Sequence, residues 1–189
     1  MDRRHEILVA ANQSFTLFGY KATTMEQVAK MANVGKGTIY TFFQNKDILF
    51  QEIVMTMIGD MKKQAEQSID SSASFLDNAH KILMNLLEFR EVHKLYAKLV
   101  EEENALRTPQ VENVLIKIEH EIITFIASKI EIAINKNEIK PCNSEHVAYL
   151  LFKAYLAFVV EWPHTHAEEL DELTIAELFK NTLFGGLTP

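Results

Sequence analysis

Three residues, Asn33-Val34-Gly35, separate two stretches of helical periodicity near the start of the chain, and so short a break restricts what the flanking segments can build. Before it, Met25, Val28, Ala29 and Ala32 form one apolar face; after it, Ile39 and Phe43 share a face while Lys36, Tyr40 and Thr41 point elsewhere. Asn and Gly tolerate positive φ, so a tight turn is expected between a short helix and a second one over about Lys36 to Phe43. Two helices joined this way have the geometry of a helix-turn-helix reader, with the second offered to the major groove of DNA.

The surrounding segments extend that unit. Ile7, Ala10, Ala11, Ser14, Phe15 and Phe18 recur at helical spacing and Gly19 supplies a stop. Thr24, with Gln27 three residues later, is a capping-box arrangement for the helix that follows. A fourth helix begins near Asn45 and keeps its apolar period to about Met61. After the small polar stretch SIDSSAS, further helices are expected near 74–90, 92–105, 110–136, 144–162 and 171–185. With only four prolines and six glycines in 189 residues, a strand-and-turn architecture is excluded and the fold class is all-α. The expectation is about nine helices: a three-helix helix-turn-helix domain over residues 1–50 and a helical bundle over residues 51–189.

Cys142 is the one cysteine, which excludes an internal disulfide framework and multi-cysteine metal sites; no metal or cofactor is expected. The N-terminal MDRRHEILVAANQSF has charges on both sides of its apolar stretch and no small-residue cleavage pattern, so it does not read as a signal peptide. The longest apolar run, Val147 to Val160, is shorter than a bilayer span and contains Lys153. No membrane association is expected, and the cytoplasm is the expected compartment. The net charge of −7 is unevenly spread: residues 1–50 hold six Lys/Arg against four Asp/Glu, so the rest carries −9. A mildly basic head on an acidic body is compatible with a local DNA-binding surface.

Thr23-Thr24, Val28-Ala29, Ala32, Val34, Gly37-Thr38-Ile39-Tyr40, Phe43, Lys46 and Leu49 together resemble the N-terminal signature of the TetR family of bacterial transcriptional regulators, over roughly residues 5 to 50. The resemblance implies a homodimer that binds a palindromic operator in double-stranded DNA and is released by a small effector held in the C-terminal domain. A repressor, not an enzyme, is the usual case. It makes Lys36 to Phe43 the recognition helix, with Thr24, Tyr40 and Lys46 on phosphates and Lys36, Gly37 and Thr41 near base edges; Thr38 belongs to the same surface. In the turn, Asn33 stands where glycine is frequent in the family and Gly35 where a capping serine is frequent.

The helix over 144–162 is apolar nearly all round and must be covered on more than one side. The resemblance assigns one side to a partner subunit, together with Leu173, Ala176, Leu178, Phe179, Leu183 and Phe184 of the last helix. Tyr96, His120, Phe125, Tyr149, Phe152, Lys153, Tyr155 and Trp162 are the candidates for an effector pocket, each also readable as ordinary core or interface. Lys153 reads either as the partner of an acidic ligand or as an ammonium snorkelling to water. His164 and His166 are too few for a metal site, and Glu101-Glu102-Glu103-Asn104 reads as a solvated helix end. The alternative function is a helical small-molecule carrier or enzyme without a DNA-binding role, although no nucleophile, carboxylate pair or phosphate loop supports it.

Overall fold

The computed structural model describes residues 2–88, 90–168 and 170–187, and every regular element among them is helical. In order these are α1 (Arg3–Ala22), α2 (Met25–Met31), α3 (Lys36–Phe42), α4 (Lys46–Ser68), α5 (Phe75–Leu87), α6 (Arg90–Leu106), α7 (Pro109–Asn135), α8 (Ser144–Leu156), α9 (Trp162–Thr165) and α10 (Glu172–Leu178). A π-helical stretch, Ala157–Glu161, joins α8 to α9 without a break, and another, Phe179–Phe184, prolongs α10. Nine separate helices result among the described residues, as expected. The chain forms two compact units, one of residues up to Gly59 with Glu91–Ile118, the other of Asp60–Arg90 with residues from Glu119 onward.

In the first unit, Ile7, Ala11, Phe15, Val28, Ile39, Leu49 and Phe50 are almost completely buried, so the apolar faces of α1 to α4 meet in one core. Phe15, Tyr20 and Phe50 form an aromatic cluster with ring centroids 4.9 to 6.2 Å apart. Thr24 caps α2 by accepting from the Gln27 amide at 3.1 Å. Asn33 takes the left-handed conformation at φ 52°, and Gly35 starts α3 without a side-chain cap.

The end of α1 is not the simple stop that Gly19 suggests. Gly19 adopts φ 80°, ψ 177°, the chain kinks, and one further helical turn follows to Ala22. The kink points the Tyr20 and Lys21 amides at the carboxylate of Glu102 on α6, at 2.6 and 3.1 Å, and Thr108 donates to the same carboxylate at 3.0 Å. Glu102 is only 6% exposed, which corrects the reading of 101–104 as a solvated end: Glu101 and Asn104 are exposed, but Glu102 is an internal acceptor. Nearby, the Tyr20 hydroxyl donates to Asp47, and Thr23 donates to the Gly19 carbonyl at 2.8 Å with Ser14 at 3.0 Å from its oxygen.

Burial, and then the hydrogen bond to Asp47, raise the Tyr20 phenol well above its ordinary value. The folded state therefore holds this proton after the unfolded chain has released it. That stabilisation is complete below about pH 10 and is lost as the pH rises further. Urea unfolding measured from pH 9 upward is expected to fall less steeply for Tyr20→Phe than for the unaltered chain; parallel slopes would contradict the assignment.

The second unit takes its core from α5, the later part of α7, α8 and α10, with Ile130, Ala133, Ile139, Ala148 and Leu187 as a buried cluster. Along α8, Phe152, Tyr155 and Leu156 are buried, whereas Tyr149 and Leu150 are about half exposed. On α10, Leu173 and Leu178 are exposed; Phe179 and Phe184, expected on the subunit-facing side, are buried within this unit. No helix among the described residues is long and apolar enough to cross a membrane.

Candidate functional site

The α3 surface is defined by what anchors it. Ile39 and Phe43 are buried to within 1% of completely, so a helix of seven residues has only one way to sit. Lys36, Gly37, Tyr40 and Thr41 are thereby left exposed, with Thr38 half-buried. Tyr40 and Phe42 are each 40% exposed, so Phe42 also stands at this surface. Gly37 has open space where a Cβ would stand. Thr41 donates to the Gly37 carbonyl at 3.1 Å, which fixes the hydroxyl on the helix backbone. Thr24 is exposed at the start of α2, where helix-terminal amides favour an anion.

The two lysines expected at this surface differ in how their charge is held. Lys36 pairs with Glu26 across the turn at 2.6 Å, with both side chains more than half exposed. The pair raises the lysine pKa and lowers that of the glutamate, and a phosphate would compete with Glu26 for this ammonium. Lys46 turns inward. Its ammonium donates to the carbonyls of Tyr20 and Thr23 at 2.8 and 2.9 Å, approaches that of Lys21 at 3.5 Å, and lies 4.2 Å from the centroid of the Tyr20 ring. Three hydrogens are thus directed to three carbonyls, and partial burial lowers the lysine pKa.

The second unit holds a half-open cavity of about 320 Å³. Its wall is mostly hydrocarbon: Met61 from α4, Phe75, Ala79, Ile82, Leu83 and Leu86 from α5, Ile122, Phe125 and Ile126 from α7, Leu151 and Phe152 from α8, and Phe179 and Phe184 after α10. Tyr155 also lines it, and its buried phenol is raised far above the ordinary value by desolvation. Of the eight pocket candidates, Phe125, Phe152 and Tyr155 meet here. The others do not line it. Tyr96 belongs to the first unit, and His120 is exposed. Tyr149 is half exposed beside Lys153, whose ammonium pairs with Glu119 instead of facing the cavity. Trp162 stacks on His166 at 3.5 Å and donates to the Glu168 carbonyl at 2.9 Å. Among the described residues no group of three or more potential ligands is placed to hold a metal.

Sequence reasoning missed the α5 wall. The amphipathic period of residues 75–87 marks an inward face, but a period does not distinguish packed core from a cavity lining.

The family model described as "Bacterial regulatory proteins, tetR family" matches residues 7–53. An uncharacterized HTH-type transcriptional regulator, YhgD of Bacillus subtilis (strain 168), is 46% identical over 188 residues, covering all of this chain and 98% of that protein. Among solved structures, the SmeT–triclosan complex superposes with a TM-score of 0.83 at 15% identity, covering 100% of this chain and 93% of that one. FadR from Bacillus subtilis in complex with stearoyl-CoA gives 0.76 at 19% identity, covering 97% and 98%.

Proposed function

The chain belongs to the TetR family of bacterial regulatory proteins, and on that premise we propose that it is a ligand-responsive repressor acting as a homodimer on a palindromic operator. Residues 1–50 bind DNA and residues 51–189 hold the effector and the subunit contact. The observation that carries this reading is the α3 face: a short helix fixed by buried Ile39 and Phe43 that presents Lys36, Gly37, Tyr40 and Thr41 outward. Base-edge contact falls to Lys36, Gly37, Thr38 and Thr41, and phosphate contact to Tyr40 and to Thr24 at the start of α2. The protein is a regulator rather than an enzyme, and its place is the cytoplasm, where the operator is.

The exposed apolar residues Tyr149 and Leu150 on α8, with Leu173 and Leu178 on α10, support a subunit contact, since the chain alone leaves them in water. Helix α4 contributes Leu49 and Phe50 to the core that seats the reading helices and Met61 to the cavity wall. A ligand that favours one position of α4 changes the separation of the two α3 helices of a dimer. Half-sites lie about one turn of DNA apart, roughly 34 to 36 Å, so a small change in separation weakens operator binding.

The test is selection of bound fragments from the source organism's own DNA with the purified protein, repeated with Tyr40→Ala. One enriched palindromic site, bound about tenfold more weakly by the variant, is the expected result. A folded dimer that enriches nothing at low salt would sink the proposal.

A further inference from the structure

The chemistry of the cavity rim narrows what the cavity can hold. Two cations and two carboxylates reach its lining, so their formal charges cancel, and each is already engaged within this unit. Lys129 pairs with Glu66 at 2.9 Å while its ammonium lies 4.8 Å from the centroid of the Phe125 ring. Lys136 lies 3.8 Å from Glu138. Asp70 accepts from the Ser72 amide and hydroxyl at 2.8 and 2.6 Å, and Asn78 is spent in two hydrogen bonds to the Asp70 backbone, at 2.8 and 2.9 Å. A second ammonium near Phe125, that of Lys62, is held by Glu121 at 2.7 Å.

An anionic ligand would have to compete with the part-exposed Glu66 carboxylate for Lys129, a modest cost, or leave its own charge against aromatic and aliphatic carbon, which is costly. A cationic ligand meets the Phe125 ring already occupied by an ammonium and an Asp70 carboxylate already bonded to Ser72. The aromatic groups Phe75, Phe152, Phe179 and Phe184 favour contact with flat or chain-like hydrocarbon.

We propose that the cavity selects an uncharged, predominantly aromatic or alkyl molecule and discriminates against carboxylates, sulfonates and phosphates, with the Glu66–Lys129 pair acting as the determinant that excludes anions. This rests on the reading of the cavity as the effector site, and the experiment separates the two.

The full chain is titrated, without DNA, with N-phenyl-1-naphthylamine and with 1-anilinonaphthalene-8-sulfonate, which share a skeleton and differ by one sulfonate. The neutral probe is expected to bind with enhanced fluorescence at least tenfold more tightly than the sulfonate. Ala79→Trp, which fills the cavity, is expected to abolish neutral-probe binding while the circular dichroism melt shows a folded chain. Glu66→Gln, a change at a largely exposed side chain, is expected to strengthen sulfonate binding severalfold and leave the neutral probe within twofold.

Equal or tighter binding of the sulfonate by the unaltered chain overturns the proposal. So does neutral-probe binding that survives in folded Ala79→Trp, or a Glu66→Gln variant with unchanged sulfonate affinity. If the neutral probe enters the cavity as expected yet neither it nor another neutral compound alters operator affinity, the selectivity stands and the effector reading fails.

Discussion

Glu102→Leu is expected to lower stability by about 3 kcal/mol and the melting temperature by roughly 6–12 °C, a large effect for a residue within a run of acids. The leucine fills the same space but leaves the Tyr20 amide, the Lys21 amide and the Thr108 hydroxyl without the acceptor they share. Hydrogen bonds to a charged acceptor are worth more than neutral ones, and a buried donor left unmade carries its full desolvation cost. Glu102→Gln retains one carbonyl oxygen and should fall between the two. The neighbouring Glu101 is exposed, and Glu101→Leu should change stability by less than about 0.5 kcal/mol. Gly19→Ala tests the same contact from the other side: its Cβ would stand 2.4 Å from the Glu102 carboxylate oxygen, at a φ that alanine disfavours. Thermal melts of these variants check the set, and a Glu102→Leu melt within 2 °C of the unaltered chain would contradict it.

Lys46→Met is expected to destabilise the fold by about 1–3 kcal/mol while leaving the salt dependence of operator binding unchanged. The family resemblance alone puts this lysine on a phosphate, and each neutralised phosphate contributes close to one unit to the slope of log affinity against log salt. In the structure its ammonium is instead directed to the carbonyls of Tyr20, Lys21 and Thr23. Loss of those bonds loosens the connection between α1 and α2, so operator affinity should fall together with the melting temperature and at every salt concentration alike. Tyr40→Ala should behave oppositely, with weaker operator binding and an unchanged melt, because its side chain is 40% exposed. A slope lowered by about one in Lys46→Met, with an unchanged melt, would return the lysine to the phosphate.

The turn at Asn33-Val34-Gly35, the Thr24 cap and the buried face of Ile39 and Phe43 were all legible because each depends on residues within a few positions of one another. The cavity lining was legible in part. Phe125, Phe152 and Tyr155 line the cavity, whereas Lys153 and Trp162, equally prominent in the sequence, find partners in Glu119 and His166. A large or charged residue in an apolar helix announces that it needs covering or pairing, but composition does not say by what.

The helical class, the order of elements and the exposed face of α3 follow from local periodicity, capping and turn chemistry, which the sequence states directly. The role of Glu102 depends on amides 81 and 82 positions away, and that of Lys46 on a carbonyl 26 positions away. Four adjacent polar residues carry the same local signal whichever of them is buried. Only packing α6 against the kink at Gly19 removes water from one carboxylate and makes it the acceptor on which that kink depends.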